Sequence, residues 1–162
     1  MIDMIELSKK GYAKQMELYL NNKDYQKAFA LGTDFVKSYP GEMIGQYQLS
    51  SAAFHVGEYQ NAQEHGRKAF NLAKTDHDML ACAIQTSLAY LKLGQYARGY
   101  EILKEMEKNK RTDELQDDLE EALFVFSVAM KDKDAAMEHI DKLYNLNKSL
   151  ALRLVRAYIE GK

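Results

Sequence analysis

The chain has no tryptophan, one proline and one cysteine among its 162 residues. A lone cysteine, Cys82, cannot close an internal disulfide, which points to a reducing compartment and a cytoplasmic protein. The single proline, Pro40, and few glycines, all near turns or helix contacts, favour helix throughout. Charge of one sign is also missing: 22 basic and 24 acidic residues leave a net charge of −2. That balance gives no long-range pull on nucleic acid or on anionic membranes. No apolar run is long enough for a membrane span, so no membrane insertion is expected. The first six residues carry Asp3 and Glu6 and do not read as a signal peptide.

Apolar residues at 46% and charged residues at 28% fit a globular protein, and the length fits one domain, 1–162. Such a chain buries about 70% of its unfolded surface. The informative stretch is Val56-Gly57-Glu58-Tyr59-Gln60-Asn61-Ala62, a turn between two helical patterns. It recurs around Tyr25 and Ala28, around Gly94, Tyr96 and Gly99, and more faintly around Lys133 and Ala136. Tyr25 to Tyr59 and Ala28 to Ala62 are 34 residues apart; Tyr59 to Tyr96, Ala62 to Gly99 and Gly99 to Ala136 are 37 apart. A fixed period of this length marks an array of helical hairpins, each too small to bury its apolar face alone. Ala or Gly three residues after the tyrosine lets two antiparallel helices approach closely. The tyrosine ring can fill the mouth of the hairpin.

On Gly57, Tyr59 and Ala62, on Gly94, Tyr96 and Gly99, and on Asp24, Tyr25, Ala28 and Pro40, the chain resembles the tetratricopeptide repeat family. The resemblance covers nearly the whole chain. It departs in lacking the usual tryptophan, in Gly32 and Gly66 where a large apolar residue is usual, and in Lys133 for tyrosine. The fold it implies is all-α, a right-handed α-solenoid of about four hairpins with a C-terminal capping helix. The repeats fall at about 9–42, 43–76, 80–113 and 117–148, and the terminal helix at 149–160.

Local signals set the helix ends. Asp3 with Glu6 reads as a capping box opening a helix that runs to about Asn21. The second helix starts near Asp24 and stops at Ser38-Tyr39-Pro40-Gly41. Glu42–Val56 and Glu58–Lys74 form the next hairpin. Thr75 with Asp78 caps a helix to Leu93, which pairs with one from Gln95 to about Lys110. Thr112 caps the next, with Asp113 and Glu114 in its first turn; it ends near Met130 and pairs with Asp134–Asn145. Ser149 caps the last helix, whose Leu150, Leu154 and Tyr158 form an apolar stripe. That helix reads as a cover for the end of the array.

No catalytic pattern appears. His55, His65, His77 and His139 lack metal-ligand spacing, and Asp76-His77-Asp78 does not converge on a point. Cys82, Gly45 and Gly11 each lie fourteen residues before a turn tyrosine, where packing wants a small side chain. The acidic run Asp113, Glu114, Asp117, Asp118, Glu120 and Glu121 reads as a solvated helix start, with a docking patch for a basic partner as the alternative. No metal and no cofactor is implied, and the chain does not read as an enzyme.

In the family the first helix of each hairpin lines a concave groove. Traced back from the turns, that face carries Tyr47, Gln48, Ser51, Phe54 and His55, then Ile84, Gln85, Leu88 and Lys92, then Val125. Apolar and aromatic positions with polar edges suit an amphipathic helix or an extended apolar segment of a partner. The basic cluster with which some family members grip terminal carboxylates is missing: the matching positions hold Ala13, Glu17, Gln48, Ala81 and Gln85. The role these residues imply is a non-enzymatic adaptor or chaperone-like module. The alternative is a homo-oligomeric scaffold whose groove accepts the terminal helix of another copy.

Overall fold

The computed structural model describes residues 8–109 and 114–161. Among them are nine α-helices: α1 Lys9–Asn21, α2 Tyr25–Ser38, α3 Met43–His55, α4 Tyr59–Leu72, α5 Asp76–Lys92, α6 Tyr96–Asn109, α7 Gln116–Ala129, α8 Lys133–Leu146 and α9 Lys148–Ile159. Each packs on the next in the chain, and α1, α3, α5 and α7 also touch one another in series. The result is an all-α solenoid in which the odd helices share one side.

One turn geometry repeats at all four hairpin junctions. Lys23, Gly57, Gly94 and Lys131 take φ of 61°, 86°, 73° and 60°. The amide after each donates to the carbonyl five residues back: Asp24 to Tyr19, Glu58 to Ala53, Gln95 to Tyr90 and Asp132 to Ser127, at 2.8–2.9 Å. This left-handed closure satisfies the carbonyls at the end of the first helix. It explains the glycines, and it shows two lysines holding a backbone shape that glycine adopts without strain.

The small residues are where helices meet. Ala28, Ala62 and Gly99 are fully buried or nearly so. A Cβ on Gly99 would collide with the Phe126 ring. Gly32 and Gly66, unexpectedly small for their positions, have the same explanation. A Cβ on Gly32 would sit 3.0 Å from Leu49 and Met16 side chains, and one on Gly66 would collide with Thr86 Oγ1. Larger neighbours occupy the volume. The core then runs as successive clusters, from Tyr12, Met16 and Phe35, through Leu80, Leu103, Leu119 and Phe126, to Phe124, Ile140 and Leu143.

Several helix starts differ from the sequence reading. Ser8, extended and accepting from the Gly11 amide, starts α1 at Lys9 rather than at Asp3. The Asp3–Glu6 box lies outside the described residues, as do Lys110, Arg111, Thr112 and Asp113. α7 begins at Gln116, so Glu114 precedes its first turn, which holds Asp117 and Asp118. The cap of α9 is Asn147, not Ser149: its Oδ1 accepts from the Leu150 amide at 3.0 Å and its Nδ2 donates to Asp117. Thr75 caps α5 as expected, accepting from Asp78.

α9 also ends on a left-handed residue, Gly161 at φ 74°. Eight and five residues before the turn, α3 buries Leu49 and Ala52, α5 Thr86 and Ala89, and α7 Leu123 and Phe126. At those places α9 carries Arg153 and Arg156, both exposed. Its inner side covers Phe124, Ile140 and Leu143. It therefore offers charge where another helix would pack, which is how a helical stack is ended. No helix among the described residues is long and apolar enough to cross a membrane.

Candidate functional site

The series of first helices leaves a cleft of about 330 Å³ across α3, α5 and α7. Tyr47, Ile84, Leu88, Leu115, Ala122 and Val125 supply its apolar walls. Ala81 and Gln85 line it from α5, and Asp118 and Glu121 from α7. The spacing explains the convergence: Tyr47 and Ile84 are one period apart, as are Gln85 and Ala122, and Leu88 and Val125. Burial raises the pKa of the Tyr47 phenol, so it stays protonated and available as a donor. Burial, then Asp118 and Asp117, raise the Glu121 carboxyl against the pull of Arg153.

Two buried amides have unmet hydrogen-bonding groups. Gln48 donates through Nε2 to the Ala13 carbonyl at 3.0 Å, tying α3 to α1, while its Oε1 has no partner. Gln85, 9% exposed, has an Nε2 with no partner at all. An unpaired buried donor costs about 1–3 kcal/mol. Gln85 carries that cost in the lining of an open cleft.

The cleft gathers Tyr47, Ile84, Gln85, Leu88 and Val125 of the groove residues read from the sequence. The others lie elsewhere. Phe54 is half-buried against Tyr59, ring centroids 5.5 Å apart, and packs with Ala53, Ala62 and Ala89. His55 stacks on Tyr25 at 4.1 Å and 11°. Gln48 is committed to α1, Ser51 accepts His55 at its carbonyl, and Lys92 stands exposed at the end of α5.

The acidic run is not a plain solvent face. Glu120 is 2% exposed and sits with Glu107 and His139 between α6, α7 and α8. His139 Nδ1 lies 2.8 Å from Glu120 and 3.5 Å from Glu107, and its Nε2 lies 3.0 Å from the Tyr100 hydroxyl. Lys104 and Lys142 hold Glu107 at 2.6 and 3.2 Å. Burial raises the Glu120 carboxyl, while hydrogen bonds from Glu120, Lys104 and Lys142 outweigh burial and lower Glu107 to about 2. The consistent arrangement is a relay. Tyr100 donates to His139 Nε2, His139 Nδ1–H to Glu120, and the Glu120 carboxyl to the Glu107 carboxylate. Among the described residues Glu107, Glu120 and His139 are the group whose donor atoms gather, within 4.8 Å, as metal ligands would. Lys104 and Lys142 pair with Glu107 and His139 with Glu120, so the cluster reads as a packing network.

Sequence reasoning missed this cluster, although one signal was present. His65 and His139 are two periods of 37 apart, and each faces a polar side chain nineteen residues earlier, Gln46 and Glu120. Burial lowers the His65 pKa. Cys82 is no nucleophile: burial pushes its thiol up to about 12, and its Sγ faces Met43 Sδ at 3.8 Å.

The fold is that of the tetratricopeptide repeat proteins, a helical-repeat class defined here by four closed hairpins and a cleft on their first helices. Three solved structures illustrate the likeness. MamA from Desulfovibrio magneticus RS-1 superposes with a TM-score of 0.72 at 16% identity, over 86% of this chain and 76% of that one. The Cut9–Hcn1 hetero-tetramer of the APC/C gives 0.80 at 15% identity, over 92% of this chain and 29% of that one. YrrB, described as a tetratricopeptide repeat protein with an unusual peptide-binding site, gives 0.55 at 15% identity over 92% of both. No family model matches the chain, and no curated protein matches it in sequence.

Proposed function

We propose that the chain is a non-enzymatic, cytoplasmic interaction module that holds an extended apolar segment of a partner protein in the α3–α5–α7 cleft. The observation that carries this reading is the buried, unpartnered Nε2 of Gln85, a residue lining a mostly apolar cleft. An α-helix has its backbone carbonyls satisfied internally, whereas an extended segment offers them free. With the Gln85 amide turned toward the cleft, a carbonyl accepting from its Nε2 would remove the cost of the unpaired donor. Tyr47, Ile84 and Leu88 would take apolar side chains beside it. Asp118 and Glu121 favour a Lys or Arg in that segment and disfavour a terminal carboxylate.

Selection from a random peptide library tests this. Enriched peptides should combine apolar residues with a basic one and lose at least tenfold in affinity to Leu88→Glu. Leu88 is 37% exposed, so that change should leave melting nearly unaltered. Peptides that bind Leu88→Glu and Gln85→Leu as tightly as the parent would place the contact surface elsewhere.

A self-assembling scaffold is the second reading. It draws on the apolar side chains that α9 leaves exposed, Leu152, Tyr158 and Ile159, beside its arginines and on the acids of the cleft. Light scattering over a concentration series separates it, since a scaffold grows in mass and a peptide-binding monomer does not.

A further inference from the structure

A second cavity, of about 590 Å³, lies between the α7–α8 turn and α9 and shares no lining residue with the cleft. Phe124, Val128, Ala136, Ile140 and Val155 line it. The repeat explains why it is there. Tyr25, Tyr59 and Tyr96 open α2, α4 and α6, and Lys133 opens α8. In the first hairpin the Tyr25 ring lies flat on His55, at the end of the next first helix. In the second, Tyr59 packs on Phe54. Tyr96 is half out, at 36% exposure. In the fourth hairpin a lysine replaces the ring, and the space beneath it is open.

We propose that this cavity binds one aromatic side chain of a partner polypeptide. Its wall Val128 stands three residues before the turn residue Lys131, as Phe54 stands before Gly57 and packs on Tyr59, and a volume of about 590 Å³ has room for a ring. Lys131 and Lys133 stand on its rim, where an ammonium group favours the face of an aromatic ring over an aliphatic chain. Asp132, between them, is turned onto the Ala135 amide at 3.0 Å as the cap of α8. Tyr158 already sets its ring edge-on to Phe124 at 6.5 Å, and an entering ring can extend that contact.

The probe is N-acetyl-tyrosine amide, titrated against protein labelled at its methyl groups and followed by NMR. Saturable shifts should appear at Val128, Ala136 and Val155, with half-saturation on the order of 1 mM for so small a ligand. N-acetyl-leucine amide should shift them at least threefold less. Lys133→Tyr, which restores the ring of the earlier hairpins, should abolish the response and raise the melting temperature. Val155→Phe, which fills the cavity from α9, should abolish it independently. Absence of saturable shifts at those methyls overturns the proposal. So do shifts that survive both filling substitutions, or an equal response to the leucine probe.

Discussion

Replacing Glu107 and replacing Glu120 should have very different consequences, although the two carboxyls touch the same histidine. Glu107 is held at about 2, against an ordinary value of 4.5. At about 1.36 kcal/mol per unit, that difference bounds its contribution near ~3 kcal/mol. Lys104 and Lys142 are about a third exposed and regain some water when their partner is lost, and the Glu120 shift opposes the gain. Glu107→Gln should therefore cost about 2 kcal/mol at pH 7. Glu120 is raised, so its protonated form is favoured, and glutamine imitates it: the amide donates to Glu107 and accepts from His139. Glu120→Gln should cost less than about 1 kcal/mol. The pH dependence follows in sign. A lowered carboxyl stabilises above its unfolded pKa, and that stability is lost as pH falls from about 4.5 to about 2. A raised carboxyl, Glu120, stabilises below its unfolded pKa and loses that contribution as pH rises through its folded value. Urea unfolding of the parent and both variants at pH 7 and at about pH 3 reads all of this. The Glu107→Gln penalty should at least halve at the lower pH. Equal penalties at pH 7, or one that does not shrink in acid, would refute the relay.

Other substitutions probe the array itself. Gly99→Ala should cost about 2–4 kcal/mol in urea unfolding, because its Cβ meets the Phe126 ring in a packed core. Lys23→Gly and Lys131→Gly should each raise stability by about 0.5 kcal/mol, since both lysines hold the left-handed turn at φ near 60°. Arg153→Leu with Arg156→Leu should turn the outer side of α9 apolar and drive association visible by light scattering; a monomer at all concentrations would mean α9 does not end the stack by charge.

The sequence by itself determined the hairpins. Each turn is a local event: a left-handed residue, a helix start and a small residue three positions on, and all of these lie within about ten residues. The 34- and 37-residue periods then place the first helices side by side, which is why Ile84, Gln85, Leu88 and Val125 were legible as one face. Periodicity names a face but not what stands opposite it. Tyr47 and Phe54 are seven residues apart on α3, nearly in line, yet Tyr47 meets the cleft while Phe54 meets the ring of Tyr59. Only the tertiary structure decided that, because what stands opposite a helix changes along its length. Gly66 is small because Thr86 needs the room, and Thr86 comes from the next hairpin. Glu120 looked like one more acid at a helix start. It is buried because α6 brings Glu107 and α8 brings His139 to the same point, and no pattern within α7 records either of them.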